Sequence, residues 1–130
     1  MANELTKTEK QLLTSIEEKG IGDLIKPLVN EIFLFDTFIA ETSNIPDQSV
    51  LYKVKEGDEL LLKRENTRYD SNAIGVYDKE NRKLGYVPEK DNIVFSRLMD
   101  AGKLLKAKAK TIKDLGYTTK ITISIYLVDY

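Results

Sequence analysis

A polar segment, residues 64–72, lies between two apolar segments and sets the strongest limit on how this chain folds. Leu60–Leu62 precedes it and Ala73–Val76 follows it. Short apolar runs that are bounded by polar residues are typical of buried β-strands. The polar segment is therefore predicted to join two strands, which would hold its side chains on a rigid scaffold.

Most of the chain after residue 31 has the pattern of β-strands. Residues 32–40 are rich in aromatic and β-branched types, and apolar residues alternate with polar ones from Ile121 to Val128. We predict that strand 32–40 is buried on one face and covered at one end of the other. The predicted strands or extended segments are 32–40, 50–54, 60–63, 73–77, 84–87, 106–110 and 121–128. Gly57, Gly116 and the polar residues 78–83 are predicted to form turns.

Two segments have helical spacing instead. Thr6–Glu18 places apolar residues on one face among charged ones, and it predicts a helical extension over residues 1–30. Pro88 suits the first position of a second helix, at 89–101, and Gly102 suits its end. The predicted buried face of this helix consists of Ile93, Val94, Leu98 and Met99. Residues 31–130 are thus predicted to be one mainly β domain, a small, partly open barrel with one inserted helix.

Composition excludes several classes of function. The chain contains no cysteine and no histidine, so disulfides, thiol catalysis, the usual zinc sites and Ser-His-Asp triads are excluded. It also lacks a GxxxxGK[ST] phosphate loop and any apolar run near the ~20 residues that span a bilayer. We expect a cytoplasmic protein with no cofactor and no membrane contact.

Charge is balanced over the whole chain but not along it. There are 20 basic and 21 acidic residues, which gives no general reason to bind nucleic acid. Residues 101–130, however, hold six lysines against two aspartates. Any surface that binds anions is therefore expected to be local.

Three blocks of residues, in this order and spacing, resemble the HIRAN domain. The blocks are Gly57-x-x-Leu60-x-Leu62-x-Arg64-Glu65, then Tyr69-Asp70-x-Asn72-Ala73-Ile74-x-Val76, then Leu84-Gly85-Tyr86-Val87-Pro88 before a helix ending at Gly102. The resemblance covers roughly residues 32–128 and implies an OB-like or SH3-like, partly open β-barrel. In the eukaryotic members it implies capture of the free 3′ end of single-stranded DNA.

The resemblance also suggests roles for side chains. Tyr69 resembles the family tyrosine whose ring stacks on a terminal base, and such stacking contributes ~1–3 kcal/mol per base. Asp70 resembles the aspartate that accepts a hydrogen bond from the terminal 3′-hydroxyl, and a carboxylate there would reject a 3′-phosphate. Tyr86 could add a second stacking platform, and lysines could contact phosphates. The candidate nucleic-acid contacts are Tyr69, Asp70, Asn72, Arg68, Tyr86, Lys90, Lys106 and Lys108.

The chain departs from the pattern of the DNA-binding members at three places. Thr67-Arg68 stands where they have asparagine and proline before the tyrosine. Tyr86 stands where they have a histidine after the glycine, and Glu89 stands where some relatives have a basic residue. The family resemblance is therefore a safer guide to the fold of this chain than to its ligand.

The same residues also have structural explanations. Asp70 and Asn72 are types that hydrogen-bond their own backbone in tight loops, and Tyr69 could be a half-buried packing aromatic. The lysines at 106–110 could form a solvated strand face that prevents edge aggregation. No spacing forces Asp70 and Glu89 together as a carboxylate pair, so we predict no enzymatic activity.

Two functional hypotheses remain at this point. The first is a non-enzymatic module that binds single-stranded DNA 3′ ends in repair or fork processing, and RNA ends are not distinguished from DNA ends by the sequence. The second is a protein-interaction module with no nucleic-acid ligand. Its partner would be held by the barrel and the N-terminal helix, with a site on residues 5–18.

Overall fold

The computed structural model of the protein describes residues 30–129. The predicted helical extension lies outside this range except for Asn30, and it stays a prediction. Residues 32–128 form one compact unit. No helix within the described range is apolar over a length that would cross a membrane.

The described residues form six strands and two α-helices. The strands are β1 (Asn30–Phe38), β2 (Glu59–Arg64), β3 (Ile74–Tyr77), β4 (Lys83–Tyr86), β5 (Leu104–Asp114) and β6 (Thr119–Asp129). The helices are α1 (Ser49–Tyr52) and α2 (Glu89–Asp100), and a 3-10 turn spans Thr42–Asn44. The mainly β class and the helix inserted after β4 are confirmed.

The strands form one antiparallel sheet in the order β1-β6-β5-β2-β3-β4. The two outer strands meet at one end, where Ala40, just after β1, pairs with Tyr86 of β4. The Ala40 amide donates to the Tyr86 carbonyl at 2.7 Å, and the Tyr86 amide donates to the Ala40 carbonyl at 3.0 Å. This bridge partly closes the sheet, so the predicted partly open barrel is confirmed.

Gly85 makes this closure possible. It has a positive φ of 156°, and a Cβ atom added to it would overlap the Ala40 carbonyl oxygen and the Ile39 side chain. Any larger residue would push the end of β1 away from β4. The glycine of the Leu84-Gly85-Tyr86 block therefore has a steric role in the fold.

The core lies between the inner face of the sheet and helix α2. Its large fully buried aliphatic side chains are Leu51, Leu60, Ile74, Val76, Leu84, Val87, Ile121, Ile123 and Ile125. The three isoleucines of β6 occupy alternate positions and all face inward. The alternation seen in the sequence is thus explained by one buried face of β6.

Three local predictions are wrong. Residues 50–54 begin in helix α1 rather than in an extended segment, because Val50, Leu51 and Val54 are all buried, and two adjacent residues plus the one at i+4 share a face in a helical turn but not in an alternating strand. Strand β1 is exposed over most of its length rather than covered. In α2 the buried residues are Asn92, Phe95 and Ser96; of the predicted face, Ile93 and Val94 are exposed, and only Leu98 and Met99 pack against the core.

Candidate functional site

Arg64 anchors the polar loop that follows β2. Its Nη1 donates to the carbonyl oxygens of Glu65 and Ala73, both at 2.8 Å, and its Nη2 donates to that of Ser71 at 3.0 Å. Its Nε and Nη2 also bind the Asp100 carboxylate at 2.8 and 3.1 Å. The guanidinium hydrogen bond holds the pKa of Asp100 below its usual value. One side chain thus fixes both ends of the loop to the last residue of α2.

Asp70 is held in this loop from several sides. Its amide donates to Thr67 Oγ1 at 3.0 Å, and Thr67 Oγ1 donates to its carbonyl oxygen at 3.0 Å. The carboxylate accepts two further hydrogen bonds, from the Asn72 amide to Oδ1 at 2.8 Å and from Asn92 Nδ2 to Oδ2 at 2.7 Å. The structural role suggested for Asp70 is therefore confirmed, whereas the side chain of Asn72 accepts a hydrogen bond from Ser96 of α2. Both donors to the Asp70 carboxylate are neutral, so they orient it without cancelling its charge.

Tyr69, in contrast to Asp70, faces the solvent. Its side chain is 90% exposed, although it stands beside a residue that is firmly held. The explanation of Tyr69 as a half-buried packing aromatic is therefore wrong. The exposed ring offers a flat apolar face to a ligand. Because the loop is already anchored, binding there would lose little further conformational entropy.

Tyr69 and Asp70 both line a cleft of about 470 Å³, here called the Tyr69 cleft. Its lining residues are Ala40, Glu41, Thr67, Tyr69, Asp70, Ala73, Tyr86, Val87 and Glu89. Three of these side chains are carboxylates, and neither lysine nor arginine is among them. No set of three or more acidic side chains within residues 30–129 is arranged to hold a metal ion. The cleft is therefore an acidic and partly aromatic site.

Tyr86 is fixed in the cleft wall by a charged network behind it. Lys83 Nζ donates to Glu65 Oε1 at 2.8 Å and to the Tyr86 hydroxyl at 2.5 Å, while the Tyr77 hydroxyl donates to Glu65 Oε2 at 2.7 Å. Burial alone would raise the pKa of Glu65, but these hydrogen bonds lower it overall. Burial would lower the pKa of Lys83, and its hydrogen bonds to Glu65 and Tyr86 raise it instead. A side chain at Gly75 would occupy the place of the Glu65 carboxylate.

The structure brings only some of the predicted residues together. Tyr69, Asp70 and Tyr86 line the cleft, and Asn72 supports it through its amide. The other four predicted residues do not line it: Arg68 is exposed, Lys90 lies over the Phe38 ring, Lys106 pairs with Glu59, and Lys108 lies over the Tyr126 ring.

The sequence prediction did not include Thr67, Asn92, Glu41 or Glu89. A signal for Asn92 was present, because Asn92 and Ser96 are polar residues four apart on one helical face. Ser96 Oγ donates to Asn72 Oδ1 at 3.4 Å, so this polar face packs on the loop. Glu41 follows Ala40 and Glu89 follows β4, so the Ala40–Tyr86 bridge brings these two parts of the cleft lining together.

Comparisons with known proteins found one family model and two solved structures that resemble the chain. The model of the HIRAN domain family matches residues 32–128. The crystal structure of a Lactobacillus plantarum protein is similar with a TM-score of 0.73 at 23% identity, covering 78% of this chain and 99% of that chain. The crystal structure of the HIRAN domain of human HLTF is similar with a TM-score of 0.61 at 12% identity, covering 76% and 79%. No curated protein sequence matches the chain. At these identities the two structures show the fold alone.

Proposed function

Because the chain belongs to the HIRAN domain family, whose members are nucleic-acid-binding rather than catalytic domains, we propose that it binds single-stranded DNA by its free 3′ end. The end would enter the Tyr69 cleft. The observation that carries this proposal is the pairing of an exposed ring at Tyr69 with an anchored carboxylate at Asp70. The ring would stack on the terminal base, and the carboxylate would accept a hydrogen bond from the 3′-hydroxyl.

The acidic lining of the cleft supports an uncharged terminus as its ligand. Glu41, Asp70 and Glu89 would repel a phosphate group, and no lining cation would offset that repulsion. A 3′-hydroxyl carries no charge and can donate to a carboxylate. The same charges thus favour an unblocked end over a phosphorylated one.

We test this proposal by fluorescence anisotropy with a labelled short strand that ends in either a 3′-hydroxyl or a 3′-phosphate. The wild-type protein should bind the hydroxyl end at least tenfold more tightly. Asp70→Asn should lower the ratio of the two affinities severalfold, since it removes one of the three repelling charges but keeps an oxygen for the Asn72 amide. Circular dichroism would show that this variant is folded.

The control for Asp70→Asn is Asp114→Asn. Asp114 also accepts a hydrogen bond from a backbone amide two residues on, that of Gly116 at 2.8 Å, but it lies in the hairpin between β5 and β6. Its substitution should leave the ratio unchanged. Equal binding of both strand ends by the wild type would overturn end recognition. An RNA strand of the same sequence would show whether a 2′-hydroxyl alters affinity.

A cytoplasmic role in repair or fork processing is part of the same proposal, because free 3′ ends of DNA arise in both processes.

A second candidate function, binding of a protein partner, is supported by a separate surface. An apolar cleft of about 380 Å³ lies between β1 and α2, where Phe35, Ile93 and Val94 are exposed. Absence of any strand binding in the anisotropy experiment would favour this second function.

A further inference from the structure

The acidic cleft raises the question of where the phosphates of a bound strand would lie. A strand whose end sits in the Tyr69 cleft must leave it with one negative charge per nucleotide. Favourable charges are therefore needed next to the cleft rather than inside it. The outer surface of β1, β6 and β5, together with the first turn of α2, provides them.

Two further clefts border β1. The first is lined by Phe38, Lys90 and Lys120 among others; Phe38 lies two residues before Ala40 of the Tyr69 cleft, and Lys90 directly follows Glu89 of that cleft. The second is lined by Phe33, Lys108 and Tyr126 among others, and Asp36 borders both. We call these six residues the lysine–aromatic surface: Phe33, Phe38, Lys90, Lys108, Lys120 and Tyr126.

Cations and rings are paired along this surface. Lys90 and Lys120 Nζ lie 5.8 and 5.6 Å from the centre of the Phe38 ring, and Lys108 Nζ lies 4.9 Å from that of Tyr126. The Phe33 and Tyr126 rings meet edge to face at 5.8 Å, and Phe33 is 54% exposed. Proteins that bind single strands combine these two elements, rings for the bases and cations for the backbone.

Of the two acidic groups on the surface, Asp36 is neutralised by a cation, and Asp91 is bound by a neutral donor. Asp36 accepts hydrogen bonds from Lys110 Nζ at 2.6 Å and Ser124 Oγ at 2.5 Å, and these lower its pKa. Asp91, in the first turn of α2, accepts one from Thr37 at 2.8 Å. The two clefts together hold four lysines (90, 108, 110 and 120) and two aspartates (36 and 91), a balance of +2.

We propose that a single strand held by its 3′ end in the Tyr69 cleft continues in the 5′ direction over the lysine–aromatic surface. This proposal rests on the proposed function and adds a second binding surface to it. Residues 33–40 span about 23 Å at ~3.3 Å per residue. At ~3.4 Å per nucleotide of a stacked strand, the surface would accommodate about seven nucleotides. Affinity should therefore increase with strand length up to roughly this size and then level off.

The test measures the salt dependence of binding for Lys90→Gln/Lys120→Gln, with a strand of ten nucleotides that has a free 3′-hydroxyl. Each phosphate contact on a single strand contributes about 0.7 to the slope of log K against log salt. The double variant should reduce the magnitude of this slope by about 1.4. Lys53→Gln/Lys79→Gln removes two exposed lysines of a different cleft and should leave the slope unchanged.

A second pair of variants tests the stacking role of the surface. Phe33→Ala should weaken binding of the ten-nucleotide strand roughly fivefold or more but leave that of a three-nucleotide strand unchanged. Tyr52→Ala removes an aromatic ring of similar exposure, 59%, outside the surface and should alter neither.

The outcomes separate the two proposals. If the 3′-hydroxyl is preferred but neither pair of variants differs from its control, the surface plays no part and end recognition stands. If strands bind over the surface without any preference for the 3′-hydroxyl, the 3′ end is not held in the Tyr69 cleft, and the path proposed from it is wrong. Absence of strand binding to the wild type would overturn both.

Discussion

Asn92 of helix α2 donates a hydrogen bond from Nδ2 to Oδ2 of Asp70 at 2.7 Å, across 22 residues of sequence. Its Oδ1 is buried and has no hydrogen-bond partner within the described part of the chain. A buried polar atom without a partner is unfavourable for folding. Asn92 therefore contributes through its Nδ2 group, which donates to the Asp70 carboxylate and orients it.

Asn92→Ala should lower the free energy of unfolding by about 2 kcal/mol, because it leaves the Asp70 carboxylate without one donor and opens a small cavity. Urea denaturation would measure this change. Under the proposed function, the preference for a 3′-hydroxyl should also fall. Asn66→Ala, at an exposed asparagine of the same loop, should change neither quantity. Unchanged stability in Asn92→Ala would contradict the role given to this hydrogen bond.

Tyr69→Ala should weaken binding of a short DNA strand by about 1–3 kcal/mol, since it removes the stacking ring. The midpoint of thermal unfolding should not move, because the ring is 90% exposed and buries almost nothing. Tyr69→Phe should keep most of the affinity. The matched control is Tyr117→Ala, at a tyrosine that is 76% exposed in the hairpin between β5 and β6. Equal loss of affinity in both alanine variants would speak against a specific role for Tyr69.

Arg64→Ala should cost much more stability than Asp100→Ala, although the two residues form one ion pair. Asp100 is 57% exposed, so losing its side of the pair should cost less than about 1 kcal/mol. Arg64 also donates to three carbonyl oxygens of the loop, and its removal should cost about 2–3 kcal/mol. Urea denaturation of both variants would compare the costs, and similar values would mean that the carbonyl contacts contribute little.

Gly85→Ala should lower the free energy of unfolding by roughly 3 kcal/mol, because its Cβ atom would overlap the Ala40 carbonyl oxygen. Gly57→Ala is the control. Gly57 also has a positive φ, 89°, but open space around it, so its substitution should cost only about 1 kcal/mol of backbone strain. If both variants lost the same stability, backbone strain rather than overlap would be the cause.

Glu65→Gln should lower stability by about 2 kcal/mol at neutral pH, because it removes charged hydrogen bonds to Lys83 and Tyr77. The pKa of Glu65 is lowered on folding below its ordinary value of 4.5. Its ionised form therefore stabilises the fold above that value, and the stabilisation disappears as the pH falls through the lowered pKa.

Thermal unfolding at pH 7 and at about pH 3 would measure this dependence. The difference between wild type and Glu65→Gln should shrink in acid. A difference that stays constant with pH would show that the Glu65 charge contributes nothing. Asp47→Asn gives a comparison outside the network: the pKa of Asp47 is also lowered, by hydrogen bonds from Ser49, so its effect should likewise shrink in acid but should persist in a Lys83→Met background, whereas that of Glu65→Gln should not.

The sequence predicted what depends on local pattern. The isoleucines of β6 could be assigned to the core because alternation and burial follow from neighbouring positions alone. The end of α2 near Gly102 was likewise readable from a local signal. The motif residues Tyr69 and Asp70 were found through a family resemblance, and the structure shows that they line one cleft.

What the sequence did not predict depends on contacts between distant residues. Ile93 and Val94 are apolar, yet α2 turns its polar Asn92 and Ser96 inward because these hydrogen-bond the loop at 70–72. The acidic character of the cleft arises because strands 46 residues apart meet at Ala40 and Tyr86. Neither relationship produces a periodic pattern in the sequence from which it could be predicted.

The Ala40–Tyr86 bridge also bears on folding kinetics. Joining residues so far apart closes a long loop, and the entropy of that closure makes such contacts late events in folding. The hairpins β2-β3, β3-β4 and β5-β6 can form before it from nearby residues. Since the Tyr69 cleft has walls from both sides of the bridge, we expect a folding chain to acquire stable strands well before it can hold a ligand.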